Sequence, residues 1–127
     1  MATMKPKIIE RGWAGHFICA EHCLFRRNTL IDFGRKKIIV STVGLMRDGL
    51  HGAGSSYDTI GAGGRYYETM AFKAKKTGPY WDIDVGKQIN FESEWSICAE
   101  SVKELPKDSD NQANAMHDAV VAELSQS

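Results

Sequence analysis

Between Arg65 and Ala74 the side chains alternate. Tyr66, Glu68, Met70, Phe72 and Ala74 fall on one side, and Arg65, Tyr67, Thr69, Ala71 and Lys73 on the other. A period of two is that of a β-strand whose two faces meet different surroundings. Three further runs, rich in aromatic and β-branched residues, read the same way: residues 14–20, 28–33 and 37–43, the last carrying Ile38, Ile39, Val40 and Val43. Phe33-Gly34-Arg35 reads as a hairpin turn in which Gly34 supplies a positive φ, and Thr77-Gly78-Pro79 as a second turn. Residues 80–85 and 87–91 are short segments that suit either strand or loop, and residues 95–98 suit a last strand.

Near the C-terminus the period changes. Ala113, Met116, Val120, Val121 and Leu124 recur at i, i+3, i+7, i+8 and i+11, which places one apolar stripe on a helix of about four turns. Residues 104–109, with Pro106, read as a linker, and Asp108 or Asp110 as the cap of a helix over 110–125. Two stretches follow neither period. Residues 1–7 are expected to fray. Residues 44–64, with glycines at 44, 49, 52, 54, 61, 63 and 64, are expected to form a long irregular loop. Such loops often serve as binding loops or lids; a plain surface loop is the alternative. The glycines do not complete a dinucleotide-binding or P-loop pattern.

These elements predict an α+β fold: a twisted antiparallel sheet with a C-terminal amphipathic helix, packed on the sheet or on a partner subunit. The 127 residues suit a single domain, and a chain of this size gains core by pairing with a second copy. With 43% apolar and 25% charged residues the composition is that of an ordinary globular protein. The net charge of zero hides an asymmetry. Residues 1–79 carry 13 Lys/Arg against 6 Asp/Glu, and residues 80–127 carry 3 against 10. The basic part could attract an anionic ligand such as a phosphate; alternatively the acidic end folds back and neutralises it. The basic residues form no long uninterrupted stripe, so binding of long nucleic acid is not expected. No run reaches the ~18 apolar residues of a membrane span, and residues 1–10 hold no apolar core of a secretory leader. The three cysteines, Cys19, Cys23 and Cys98, are therefore expected to be reduced thiols in a cytoplasmic protein.

Five groups of residues could carry chemistry. His16, Cys19, His22 and Cys23 are metal-capable, but on a strand the histidines and cysteines face opposite ways, and buried structural side chains are the competing reading. No metal and no cofactor is expected. Arg26-Arg27-Asn28-Thr29 joins two guanidinium forks to two neutral polar groups, a set that suits a phosphate and a sugar; a solvated turn is the alternative. In Arg65-Tyr66-Tyr67-Glu68 the arginine and the tyrosines could stack on a nucleobase, while Glu68 shares a side with apolar residues and needs a partner, as in a cross-strand ion pair. The glycine-rich loop could close over a ligand. His117, beside Met116, could touch a ligand or simply pack at the helix–sheet boundary. No nucleophile, base and orienting group stand at a recognisable spacing, so the residues lean toward binding without catalysis.

The strings Gly12-Trp13-Ala14-Gly15-His16-Phe17-Ile18-Cys19, Phe25-Arg26-Arg27-Asn28-Thr29-Leu30, Val40-Ser41-Thr42-Val43-Gly44, Arg65-Tyr66-Tyr67-Glu68-Thr69-Met70-Ala71-Phe72, Trp81-Asp82-Ile83-Asp84-Val85 and Ala113-Asn114-Ala115-Met116-His117 resemble a phage-borne family, the Thoeris anti-defence signal sponges of the first type. The resemblance runs from Gly12 to Leu124. It implies a phage protein in the cytoplasm of an infected bacterium that is not an enzyme. Such a protein traps the cyclic ADP-ribose signal made from NAD by a TIR enzyme, without cleaving it, and so keeps the immune effector off. It also implies a homo-oligomer, a dimer or larger, with ligand sites at subunit interfaces, and in some members binding of cyclic oligonucleotides. On chemistry, the contacts would be Arg26, Arg27, Asn28 and Thr29 for phosphate and ribose, Arg65, Tyr66 and Tyr67 for base stacking, and Glu68 and His117 as further contacts. Two other classes stay open: a small nucleotide or phosphoester hydrolase built on the His16/Cys19/His22 region, and an inhibitor that masks a host protein by direct contact.

Overall fold

A computed structural model of the chain describes residues 5–11, 23–47, 57–58, 66–93 and 109–126. They form one antiparallel sheet and one helix, the α+β arrangement expected. The elements are β1 (Lys7–Arg11), β2 (Cys23–Asp32), β3 (Lys37–Arg47), β4 (Tyr57–Asp58), β5 (Tyr67–Thr77), β6 (Tyr80–Ile89) and α1 (Ser109–Leu124). The sheet order is β1-β2-β3-β5-β6, with β4 paired to the end of β3.

The alternation read in residues 65–74 holds. Tyr67, Thr69 and Ala71 face the helix, while Met70, Phe72 and Ala74 face away. The same parity runs across the sheet, because antiparallel partners share a side. Thr29 lies opposite Val40, and Val40 opposite Ala71. The helix face is built on Ile31, Ile38, Val40 and Ala71, closed by Val120 of α1. Ala113, Met116 and Val120 are buried, and Val121 and Leu124 pack at the margin of that core, so the predicted stripe is the docking face.

The far face has its own core of Leu30, Ile39, Phe72 and Ile83, flanked by Met70, Ala74 and Trp81. A kink in the β5–β6 hairpin closes it. Ala74 pairs with Ile83 and Phe72 with Gln88, so one residue of β5 lies opposite four of β6, 84–87. An irregularity of this kind bends and twists a hairpin. At the kink Gly86 N–H donates to Asp84 Oδ1 at 3.2 Å. The outer arm folds back over the far face. Its Trp81 carbonyl accepts a 2.6 Å bond from Arg11 at the opposite edge of the sheet, and Lys37 Nζ sits 4.4 Å from the Trp81 ring centroid.

Several boundaries differ from expectation. Lys7 opens an edge strand and is not frayed; its short run Lys7-Ile-Ile-Glu-Arg11 has too few residues to display a period. Arg26 and Arg27 stand in the middle of β2, not in a turn. β3 continues to Arg47, and β4 lies at 57–58, so the segment 44–64 is not wholly loop. Residues 80–89 are one kinked strand instead of two short pieces. Both turns are as read, with φ of 93° at Gly34 and 58° at Gly78. Asp110 lies inside the first turn of α1, not at its cap. The expected strands at 14–20 and 95–98, most of the glycine-rich loop and Asp108 fall outside the described residues.

Candidate functional site

Strand alternation divides the expected ligand residues. Arg27 and Thr29 point to the helix face and Arg26 and Asn28 to the far face, so the two neighbouring arginines cannot clamp one phosphate. Likewise Tyr67 faces the helix and Glu68 the far side. The structure therefore does not bring Arg26, Arg27, Asn28, Thr29, Tyr67, Glu68 and His117 into one pocket. It brings together Arg27, Thr29, Tyr67 and His117 on one face, and Arg26, Asn28 and Glu68 on the other. Tyr66 is buried just before β5. Arg65, His16, Cys19, His22 and Cys98 lie outside the described residues. Cys23 is buried, and the described residues hold no cluster of three metal-capable side chains.

The helix-face group is a closed polar network. Arg27 donates to Glu10 through Nε (2.8 Å) and Nη2 (3.0 Å), and its Nη1 reaches Asp118 (2.8 Å) and the Asn114 side chain (3.3 Å). This bidentate pairing holds the Glu10 carboxyl below the usual carboxylate range. Glu10 is not among the residues singled out from the sequence, since the five-residue run Lys7–Arg11 shows no period that would assign its side chain to a face. An ionised Glu10 then sets every proton behind it. Thr29 Oγ donates to Glu10 at 2.9 Å. A hydroxyl has one proton, so Thr29 must accept from His117 Nε2 at 2.7 Å. His117 Nδ1 is thus the bare nitrogen and accepts from Thr42 at 2.7 Å, and Thr42 accepts from Thr69 at 2.7 Å. His117 is the neutral Nε2–H tautomer, fully buried; burial, with the nearby Arg27 charge, pushes its pKa down to about 4. His117, bonded at both ring nitrogens to threonines of the sheet, and Arg27, paired with Glu10 of β1 and Asp118 of α1, tie α1 to the sheet.

Tyr67 makes a second link to α1. Its hydroxyl donates to Asp110 at 2.5 Å, and its ring meets Phe25 edge-on at 5.5 Å across Gly44. That explains one glycine of the 44–64 segment: a Cβ on Gly44 would fall 2.1 Å from the Tyr67 ring.

The far face differs. Asn28 is buried and its Oδ1 accepts from Arg11 Nη2 (2.8 Å) and Nε (3.0 Å). One register step on, Arg26, Val43 and Glu68 form a row across β2, β3 and β5. Val43 is buried, whereas Arg26 is exposed and, among the described residues, has neither an ion pair nor a hydrogen bond. Leu24, one alternation before it, is 53% exposed. A cleft of about 250 Å³ opens beside the Glu68 end of the row, where β5 runs past the end of β6; Glu68, Thr69, Met70, Gln88, Ile89, Asn90 and Phe91 line it. Arg26 and this cleft are two described features with groups to offer a ligand. No family model, curated protein or solved structure matches the chain.

Proposed function

We propose that this chain binds a cyclic ADP-ribose-type signalling nucleotide and sequesters it unchanged, in the manner of the Thoeris anti-defence sponges it resembles. The observation that carries the reading is Arg26. It stands at a defined strand position, exposed and without a partner among the described residues, while Arg11 and Arg27 on the same sheet spend their donors inside the protein. A guanidinium free to turn its fork outward suits a phosphate oxygen pair. Tight reversible binding asks for such anchors on a rigid frame, and the two cores on either side of the sheet provide that frame. Sequestration without chemistry agrees with His117, the described histidine, being neutral, buried and committed at both ring nitrogens. Sites between subunits of a homo-oligomer, as the resemblance implies, are part of the proposal.

The test is to incubate the protein with the signal produced by a TIR enzyme, remove small molecules, heat the protein and analyse what is released. Intact signal supports sequestration. A changed product assigns an enzyme instead. An empty protein that co-purifies with a host protein assigns a masking inhibitor.

A further inference from the structure

We propose that the outer arm of the β5–β6 hairpin is a strap that swings open and shut over the far face, with Arg11 as its clasp. This is a motion of the fold itself and does not depend on what the chain binds. The arm comprises residues 74–77 of β5 and 80–83 of β6. Within it the ladder is regular: Ala74 pairs with Ile83, Lys75 with Asp82, Lys76 with Trp81 and Thr77 with Tyr80. A short hairpin so paired moves as one piece. Between the arm and the body of the sheet the ladder stops. Lys73 and residues 84–87 have no strand partner among the described residues. Unpaired backbone breaks no cross-strand bonds when its φ and ψ change, so a hinge costs least there. Val85, Gly86 and Lys87 are exposed, Val85 by 72%, so little packing resists the change either.

The arm is held down by side chains. β1 and β6 are the two ends of the sheet order, and no backbone ladder joins them among the described residues. Instead Arg11 Nη1 donates to the Trp81 carbonyl at 2.6 Å, while Nη2 and Nε donate to the buried Asn28 Oδ1 and fix the guanidinium. Burial lowers the Arg11 pKa, and the charge of Asp82, next along the arm, works against that lowering. Lys37 Nζ, 4.4 Å from the Trp81 ring centroid, adds a cation–π contact. Beneath these, Ile83 and the half-buried Trp81 pack with Leu30, Ile39 and Phe72. Opening takes that apolar cover away, so the shut position is the resting one. A ladder would make the closure part of the sheet; one guanidinium and one small apolar contact make it reversible.

The test is methyl relaxation-dispersion NMR on the intact chain, which reads hinge motions on the μs–ms scale. The Ile83 and Ile39 methyls lie under the arm, and those of Val40 and Val120 lie in the helix-face core. Exchange is expected at the first pair, with flat profiles at the second. Arg11→Met keeps an apolar stem but removes a hydrogen bond from a charged donor, and should raise the open population about tenfold. Lys37→Met leaves Arg11 in place and should raise it about threefold; it decides the matter if Arg11→Met does not fold. Flat Ile83 profiles in the wild type and in the folded variants would overturn the strap. So would an equal rise at Val40 and Val120, which would make the arm part of one unfolding unit. Exchange at Ile83 that neither substitution alters would overturn the clasp.

Discussion

Single residues decide how the two faces of this sheet are used. Gly44 is the clearest case. The Tyr67 ring occupies the space a side chain would need, so Gly44→Ala must displace a buried aromatic that also holds Asp110 of α1. We expect a loss of about 1–3 kcal/mol in urea denaturation. His117 gives a pH signature. Its folded pKa of about 4 lies below the usual 6.5, so between those values the unfolded chain binds more protons than the folded one. Stability contributed by this group is complete above about pH 6.5 and drains as pH falls, by about 3 kcal/mol near pH 4. Glu10, also lowered, adds loss in the same direction at the acid end. Denaturation at pH 7, 6 and 5 should show wild-type stability falling more steeply than that of His117→Gln; parallel curves would mean the histidine is not buried in its neutral form.

At the scale of elements, β5 and α1 were legible because each repeats its period several times. The alternation from 65 to 74 and the stripe from 113 to 124 each have enough turns of the pattern to define a face. β1 was not legible: five residues with Ile8 and Ile9 adjacent carry no period, and the strand is specified by its register with β2, from Lys7–Asp32 to Arg11–Asn28. The kink in β6 was equally invisible, since what makes residues 80–89 one strand is their pairing with β5. The site was harder still. A string such as Arg-Arg-Asn-Thr reads as one cluster in sequence, and strand geometry sends alternate members to opposite sides. The far-face core makes an element-scale prediction. Ile39 is fully buried beneath the folded-back β5–β6 arm, and Ile39→Ala should cost about 2–5 kcal/mol in the same denaturation experiment. A cost under 1 kcal/mol would mean the arm does not close on it.

Across the whole molecule the uneven charge finds a physical outcome. The basic strands and the acidic C-terminal part meet at Arg27 and Asp118, 2.8 Å apart, and at Tyr67 and Asp110. Some of the asymmetry is therefore used up in docking α1. None of the described helices is long and apolar enough to cross a membrane. Unlike its neighbour Arg27, Arg26 has no partner among the described residues, and this divides two neighbouring residues into different roles. Arg27→Met should lower stability by about 1–2 kcal/mol, modest because Glu10 and Asp118 remain half in water, while the folded protein keeps its ligand. Arg26→Ala should leave the melting temperature unchanged and remove binding. Isothermal titration of cyclic ADP-ribose into wild type, Arg26→Ala and Arg27→Met tests this division directly. The account predicts binding in the first and third and loss in the second; undiminished affinity in a folded Arg26→Ala protein would contradict it.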